Sequence, residues 1–398
     1  MLIPIRYKLI GAGSVRTFTR GVAPKARIYD GTWPGSRPIV FPTGPPPPPL
    51  PAVSYNPPKP PRPAPSNPTP TVPNTGQSSE IESYLKSALK ELKSPESEAA
   101  TISQLKRLLH KRGGKVIGES LSYESRPSVD RRVRIGTQQS DDRGTATKGI
   151  VMVAYVYGDL NSEKDCAVEM CLGFAVGARK DYREEDGAHT IMTCAHTLEA
   201  MSGRLKKQPS HTPSAVYIVT FDGHIFPVVD LKSSLPSSDM LILSKSPFPV
   251  WGPSGKWNPS SPTPLLKSLP ISPYPATVGT HIAALEFPKT PLGSFKPNWL
   301  TGSVSGYKDP IGRVAETGTY DLLEEMTFNF IPEPGASGGP IIDVDNGTVV
   351  GMIRGVFRGH SEGNNARGFG VPAEKIFEMY ELPNFEPASK RFKATSDS

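Results

Sequence analysis

The sequence predicts an all-β protein of two six-stranded Greek-key β-barrels, preceded by a disordered proline-rich arm and a short helical hairpin. Three observations carry that prediction. From Lys148 onward, short β-type runs recur: Ile150–Tyr157, Met170–Val176, Thr190–Cys194, Ala215–Phe221 and Met240–Leu243, then Thr280–Leu285, Met326–Ile331, Thr348–Ile353 and Gly368–Val371. Gly, Pro, Asn and Asp turns separate them, a texture of barrels rather than of alternating helices and strands. The proline-rich stretch Ser244–Pro275 divides the runs into two sets and is expected to cross between the barrels. Asp222-Gly223 and Asn346-Gly347 give the cleanest hairpin signals, because two-residue hairpin turns need a positive φ that glycine supplies freely.

The N-terminal region reads in three pieces. Residues 1–33 are basic: Arg6, Lys8, Arg16, Arg20, Lys25 and Arg27 occur before the first acid, Asp30. That composition suits a mitochondrial transit peptide, with a basic disordered tail of a cytoplasmic protein as the alternative; either places the protein inside the cell. Residues 34–78 form a linker, and between Pro34 and Pro73 eighteen of forty residues are proline. Such a stretch can build neither ladder nor helix and is expected to be an extended polyproline spacer. Within it, Pro60-Pro61-Arg62-Pro63 has the spacing of a ligand for an SH3-type partner,. Residues 79–114 predict a helical hairpin. Ser79 and Glu82 form a capping-box pattern, and Ile81, Tyr84, Leu85, Ala88, Leu89 and Leu92 share one face,. Ser94-Pro95 then restarts a second helix with Ile102, Leu105, Leu108 and Leu109 inward, and Gly113-Gly114 ends it,. The hairpin is expected to dock on the β domain at 148–385; a closing helix over Ala373–Tyr380 and a disordered tail at 386–398 follow.

Bulk composition narrows the function classes. The formal net charge is +7, but residues 1–64 hold nine Lys or Arg against Asp30, so the remainder sums to −1. The basic character belongs to the arm and argues against a nucleic-acid-binding domain. Three cysteines, Cys166, Cys171 and Cys194, give no even disulfide framework, which favours a reducing compartment. No second ligand pair accompanies the Cys166/Cys171 spacing, so neither metal nor cofactor is expected,. No apolar window reaches membrane-spanning length,. The oligomeric state has no sequence signal.

Chemistry concentrates in three motifs. Pro334-Gly335-Ala336-Ser337-Gly338-Gly339-Pro340 places a serine hydroxyl in a glycine-lined turn, where the amides of Gly335 and Ser337 can converge as an oxyanion hole,. Ile191-Met192-Thr193-Cys194-Ala195-His196 is an apolar run ending on a histidine, and Asp239 opens the strand Met240–Leu243. A serine hydroxyl is a poor nucleophile unless a base accepts its proton, and the base needs an acceptor on its other ring nitrogen. His196 and Asp239 are the candidates for those roles. The other histidines (His110, His189, His211, His224, His281 and His360) have no such context and are expected on the surface or in loops.

In their His, Asp, Ser order these motifs resemble those of the trypsin-like serine peptidases. The surroundings are more specifically similar to the HtrA (Deg) branch. Leu172-Gly173-Phe174-Ala175-Val176 resembles that branch's strand ahead of the histidine, Val216–Gly223 its hairpin, and Gly368-Phe369-Gly370-Val371-Pro372 its closing strand. The resemblance runs from about 148 to 380 and implies the chymotrypsin fold, with His196 and Asp239 from the first barrel and Ser337 from the second. It implies a serine endopeptidase acting on protein or peptide substrates through an acyl-enzyme. It also implies that Ile331, six residues before the serine, lies at the base of the specificity pocket. No acid stands there, so a small or medium apolar P1 residue is expected. Ile353, Arg354 and Gly355 are expected to pair with extended substrate, with Phe369 alongside.

Two departures from relatives matter. Ala336 stands where digestive enzymes carry the Asp of their activation salt bridge, which excludes that zymogen switch. Only 26 residues follow Pro372, so the PDZ domain usual in the HtrA branch is not expected. The rival reading is a catalytically weak trypsin-fold binding protein recruited through its proline-rich arm.

Overall fold

The computed structural model describes residues 80–381, apart from 93–98, 122–126, 128–131, 136–145, 160–165, 178–189, 210, 289–295 and 358–365. The basic segment read as a transit peptide or basic tail, the proline-rich linker with its SH3-type motif, Ser79, His189, His360 and the C-terminal tail lie outside the described residues.

The first barrel consists of β1 (Ile150–Tyr157), β2 (Ala167–Val176), β3 (Thr190–Cys194), β4 (Ser214–Val219), β5 (Ile225–Leu235) and β6 (Met240–Lys245). Their order β4-β1-β2-β3-β6-β5 closes on itself through β4–β5 pairing, and all the pairings are antiparallel. Two short strands, β7 (Trp251–Gly252) and β8 (Gly255–Lys256), extend one edge. The second barrel uses β9 (His281–Leu285), β10 (Trp299–Lys308), β12 (Glu325–Phe328), β13 (Pro340–Asp343), β14 (Thr348–Phe357) and β15 (Arg367–Pro372), with β11 (Val314–Ala315) paired outside β10. It closes through β9–β10. Numbered within each barrel, both rings run 1-2-3-6-5-4. One Greek-key plan is therefore used twice, and closure removes the open sheet edges.

Burial follows from closure. β1 is buried along nearly its whole length, as its run Ile-Val-Met-Val-Ala-Tyr-Val requires, because one face lines the barrel and the other is covered. Part of the cover is the helical hairpin. α1 (Glu80–Glu91) buries Ile81, Leu85, Ala88 and Leu89; α2 (Ile102–Lys111) buries Ile102, Leu105 and Leu109. α2 packs on β4, β5 and α3 (Ala195–Leu205). Polar contacts fix the docking: Tyr84 donates to the Gly223 carbonyl at 2.7 Å, and Arg112 Nη1 meets Asp230 Oδ2 at 2.7 Å.

Several boundaries differ from the sequence expectation. α2 starts after Thr101, because Thr101 and Gln104 form a reciprocal capping box that satisfies two orphan amides, and Ser94-Pro95 lies outside the described residues,. The run expected over Met326–Ile331 leaves the sheet after Phe328, and the Gly368 amide pairs instead with the Phe330 carbonyl at 3.0 Å. α4 is a single turn, Glu374–Phe377, rather than a helix to Tyr380. β5 and β10 had no clean pattern. β5 contains Pro227 and two register shifts, while β10 is rich in Gly, Ser and Thr.

Candidate active site

The three chemical motifs sit at element ends, where backbone groups are free to be arranged. β3 runs directly into α3, so His196 lies in the first turn of a helix. Before β6 a tight 3-10 turn, Pro236–Ser238, ends on Asp239, which has φ +59 and is the one positive-φ non-glycine residue among those described. Aspartate tolerates that conformation better than most residues. The turn delivers its carboxylate to the start of α3. Asp239 Oδ1 accepts from the amides of Ala195 (3.0 Å) and His196 (2.7 Å), and Oδ2 meets His196 Nδ1 at 2.6 Å. A carboxylate at a helix N-terminus satisfies orphan amides and complements the dipole. The same carboxylate fixes the imidazole through Nδ1.

Nε2 is 3.8 Å from the sulfur of Cys194. Burial works against a charged imidazole, yet negative charge at Cys194 and the hydrogen bond to Asp239 outweigh it and hold His196 above its ordinary pKa. Burial would also raise the Cys194 thiol, but the hydrogen bond from Cys171 and the charge on His196 bring it down. All three cysteines are free and buried.

Ser337 lies in the loop before β13, in the second barrel. The loop is shaped by Gly335 (φ +91) and Gly338 (φ +83). Backbone bonds hold it: the Ala336 amide to the Glu333 carbonyl, the Gly339 amide to the Ala336 carbonyl, and the Gly338 amide to the Ile353 carbonyl. From the first barrel, the Leu172 amide donates to both the Gly335 (2.9 Å) and Ser337 (3.1 Å) carbonyls. Ala336 itself is fully buried. Main-chain bonds thus tie this loop to the first barrel. The amides of Gly335 and Ser337 donate to no backbone acceptor among the described residues.

The structure brings His196 and Asp239 into direct contact, while the serine arm is arranged differently. Ser337 Oγ donates to the Arg354 carbonyl at 3.0 Å, and no hydrogen bond joins it to His196 among the described residues. Of the expected substrate residues, Ile331 is exposed at the loop following β12. Ile353 is fully buried, and its amide and carbonyl pair with Gly339 and Gly338, so its backbone holds the serine loop. Arg354, Gly355 and Phe369 stand beyond that point, with the Arg354 guanidinium 5.8 Å over the Phe369 ring and its Nε 3.7 Å from Asp239 Oδ2. Sequence reasoning missed three contributors. The Leu172 amide has no sequence signal. Ser238 donates to Glu324 at 2.8 Å and Glu324 meets Lys375 at 3.2 Å, tying the Asp239 turn to the second barrel. Cys194 was visible two residues before the histidine but was read only as a count. Among the other histidines, His224 lies half-buried in the loop between β4 and β5, as expected, and pairs with Asp222 at 2.9 Å.

No curated protein matches this sequence significantly. Two solved structures similar to the chain are an inactive mutant form of Rv3671c from M. tuberculosis H37Rv and the apo protease domain of MamO from Magnetospirillum magneticum. The first is 18% identical, covers 64% of this chain and 89% of its own, and has a TM-score of 0.34; for the second the values are 17%, 56%, 93% and 0.32. The family model described as the trypsin-like peptidase domain matches residues 171–352. That span runs from Cys171 in β2 to Met352 in β14 and includes His196, Asp239 and Ser337. With two closed six-stranded barrels of one Greek-key plan, it establishes that the chain carries a trypsin-like peptidase domain.

Proposed function

We propose that the protein is a serine endopeptidase in which Ser337 attacks the peptide carbonyl, His196 takes its proton and returns it to the leaving amine, and Asp239 orients the imidazole. The observation that carries this reading is the Asp239–His196 pair at 2.6 Å, which orients the imidazole through Nδ1,. The uncommitted amides of Gly335 and Ser337 supply the oxyanion donors; losing one such donor typically costs about 3–4 kcal/mol in the transition state. Substrate would extend along Arg354 and Gly355 by β-addition, and the exposed aliphatic Ile331 favours a small or medium apolar P1 residue,. The HtrA branch is the relation we favour within the family, and an intracellular protein, mitochondrial or cytoplasmic, with an SH3-type partner for its arm fits the N-terminal composition.

Fluorophosphonate labelling of the full chain tests this. Rapid labelling that disappears in Ser337→Ala supports an activated nucleophile. A second reading, a catalytically weak binding protein, draws on the Ser337 hydroxyl being committed to the Arg354 carbonyl. A folded protein that fails to label would favour that reading.

A further inference from the structure

Arg354 touches both ends of the candidate triad. It is the extra residue of a β-bulge: Ile353 pairs with Gly370 and Gly355 with the adjacent Phe369, so β14 advances by two while β15 advances by one. Bulges re-aim the side chain they carry. Here the bulge turns the guanidinium toward the Asp239 carboxylate, 3.7 Å from Oδ2, the same oxygen that meets His196 Nδ1 at 2.6 Å. Phe369 lies beneath the guanidinium, and about a quarter of the Arg354 side chain, 26%, is exposed.

The need for a cation at this point follows from the other groups around His196. Asp239 faces it from the turn before β6 and Cys194 from the end of β3. Cys171 of β2 hydrogen-bonds Thr193 behind them, and the buried Tyr155 of β1 lies nearby. Both immediate neighbours favour the imidazolium, and a protonated imidazole cannot accept the Ser337 proton. A fixed positive charge beside the shared carboxylate opposes that protonation. An arginine suits the task because it stays charged at any working pH.

We propose that Arg354 is a positioning residue whose guanidinium, aimed by the β14 bulge, offsets part of the Asp239 charge and leaves His196 easier to deprotonate than the carboxylate and the thiol alone would make it. This rests on the triad reading above, and the test separates the two. The full chain is labelled with 13C-histidine and the His196 ring signal, assigned through His196→Ala, is titrated by NMR in the wild type, Arg354→Gln and Arg354→Lys. Loss of the cation should move the His196 midpoint upward by roughly half a unit or more, since a neighbouring charge shifts a pKa on that scale. Arg354→Lys should titrate with the wild type. Arg354→Met, apolar and of similar length, gives the same comparison if the glutamine variant does not fold. A midpoint unchanged on removing the charge would overturn the proposal, as would a lysine variant shifted as far as the neutral ones. Failure of the wild type to label with fluorophosphonate would count against the triad alone, because the titration needs no catalysis.

Discussion

At the scale of single residues, the site depends on positions where only one side chain fits. Gly338 has φ +83, and a Cβ there would press on the Leu172 carbonyl, Thr193 Oγ1 and the Cys194 amide, the last at 2.9 Å. Gly338→Ala combines a left-handed backbone, costing about 1–2 kcal/mol, with overpacking of about 1–3 kcal/mol. A lower denaturation midpoint together with lost fluorophosphonate labelling is the expected outcome, since Ser337 is the preceding residue. An alanine variant as stable as the wild type would show that the loop has room to move. Cys194 offers a second test. Its negative charge supports the imidazolium, so Cys194→Ala should lower the His196 pKa and move the acid limb of the kcat/KM profile to lower pH,. An unmoved limb would mean that the thiol stays protonated beside the base.

Elements show why some of this was legible and some was not. His196, Asp239 and Ser337 could be read because each sits in a short motif whose order along the chain carries information. β1 could be read because burial on both faces forces an unbroken apolar run, and β3 because only two threonines interrupt its buried run. β5 could not: Pro227, Asp230 and two register shifts interrupt any period-two pattern, and it is the bending of that strand that lets the barrel close. The contact of Arg354 with Asp239 depends on a bulge, which is a property of two paired strands and of neither alone. The start of α2 is written in the sequence as Thr101-x-x-Gln104. That cap is testable by itself. Thr101→Ala should cost about 1 kcal/mol, read as a lower urea midpoint at unchanged slope, and Thr101→Ser should restore most of it. No loss would mean that docking of α2 on β4 and β5 holds the helix without its cap.

For the whole molecule, two buried ionisable groups set opposing slopes of stability against pH. Glu374 opens α4 with Oε2 unpartnered among the described residues, and burial pushes its pKa up to about 7 from 4.5. Its folded form prefers the proton, so its stabilising contribution is complete below pH 4.5 and is lost as pH rises through 7,. Lys245, at the end of β6 and 4.1 Å above the Phe226 ring, is lowered by burial to about 8 from 10.5. Its folded form prefers to be neutral, so its contribution is complete above 10.5 and is lost as pH falls to 8,. Between about 7 and 8 both groups are charged in a structure that favours them neutral, and each then withholds on the order of 3 kcal/mol,. Glu374→Gln should therefore stabilise the protein at pH 8 and be nearly neutral at pH 4.5, while Lys245→Met should stabilise at pH 7 and lose its advantage above 10.5. Urea midpoints of the two variants and the wild type across that range check this directly. Parallel pH curves for variant and wild type would show that water or a local opening relieves the burial. Curves that converge with the wild type at opposite ends of the range would assign one cost to Lys245, at the end of a first-barrel strand, and the other to Glu374, just beyond the last strand of the second.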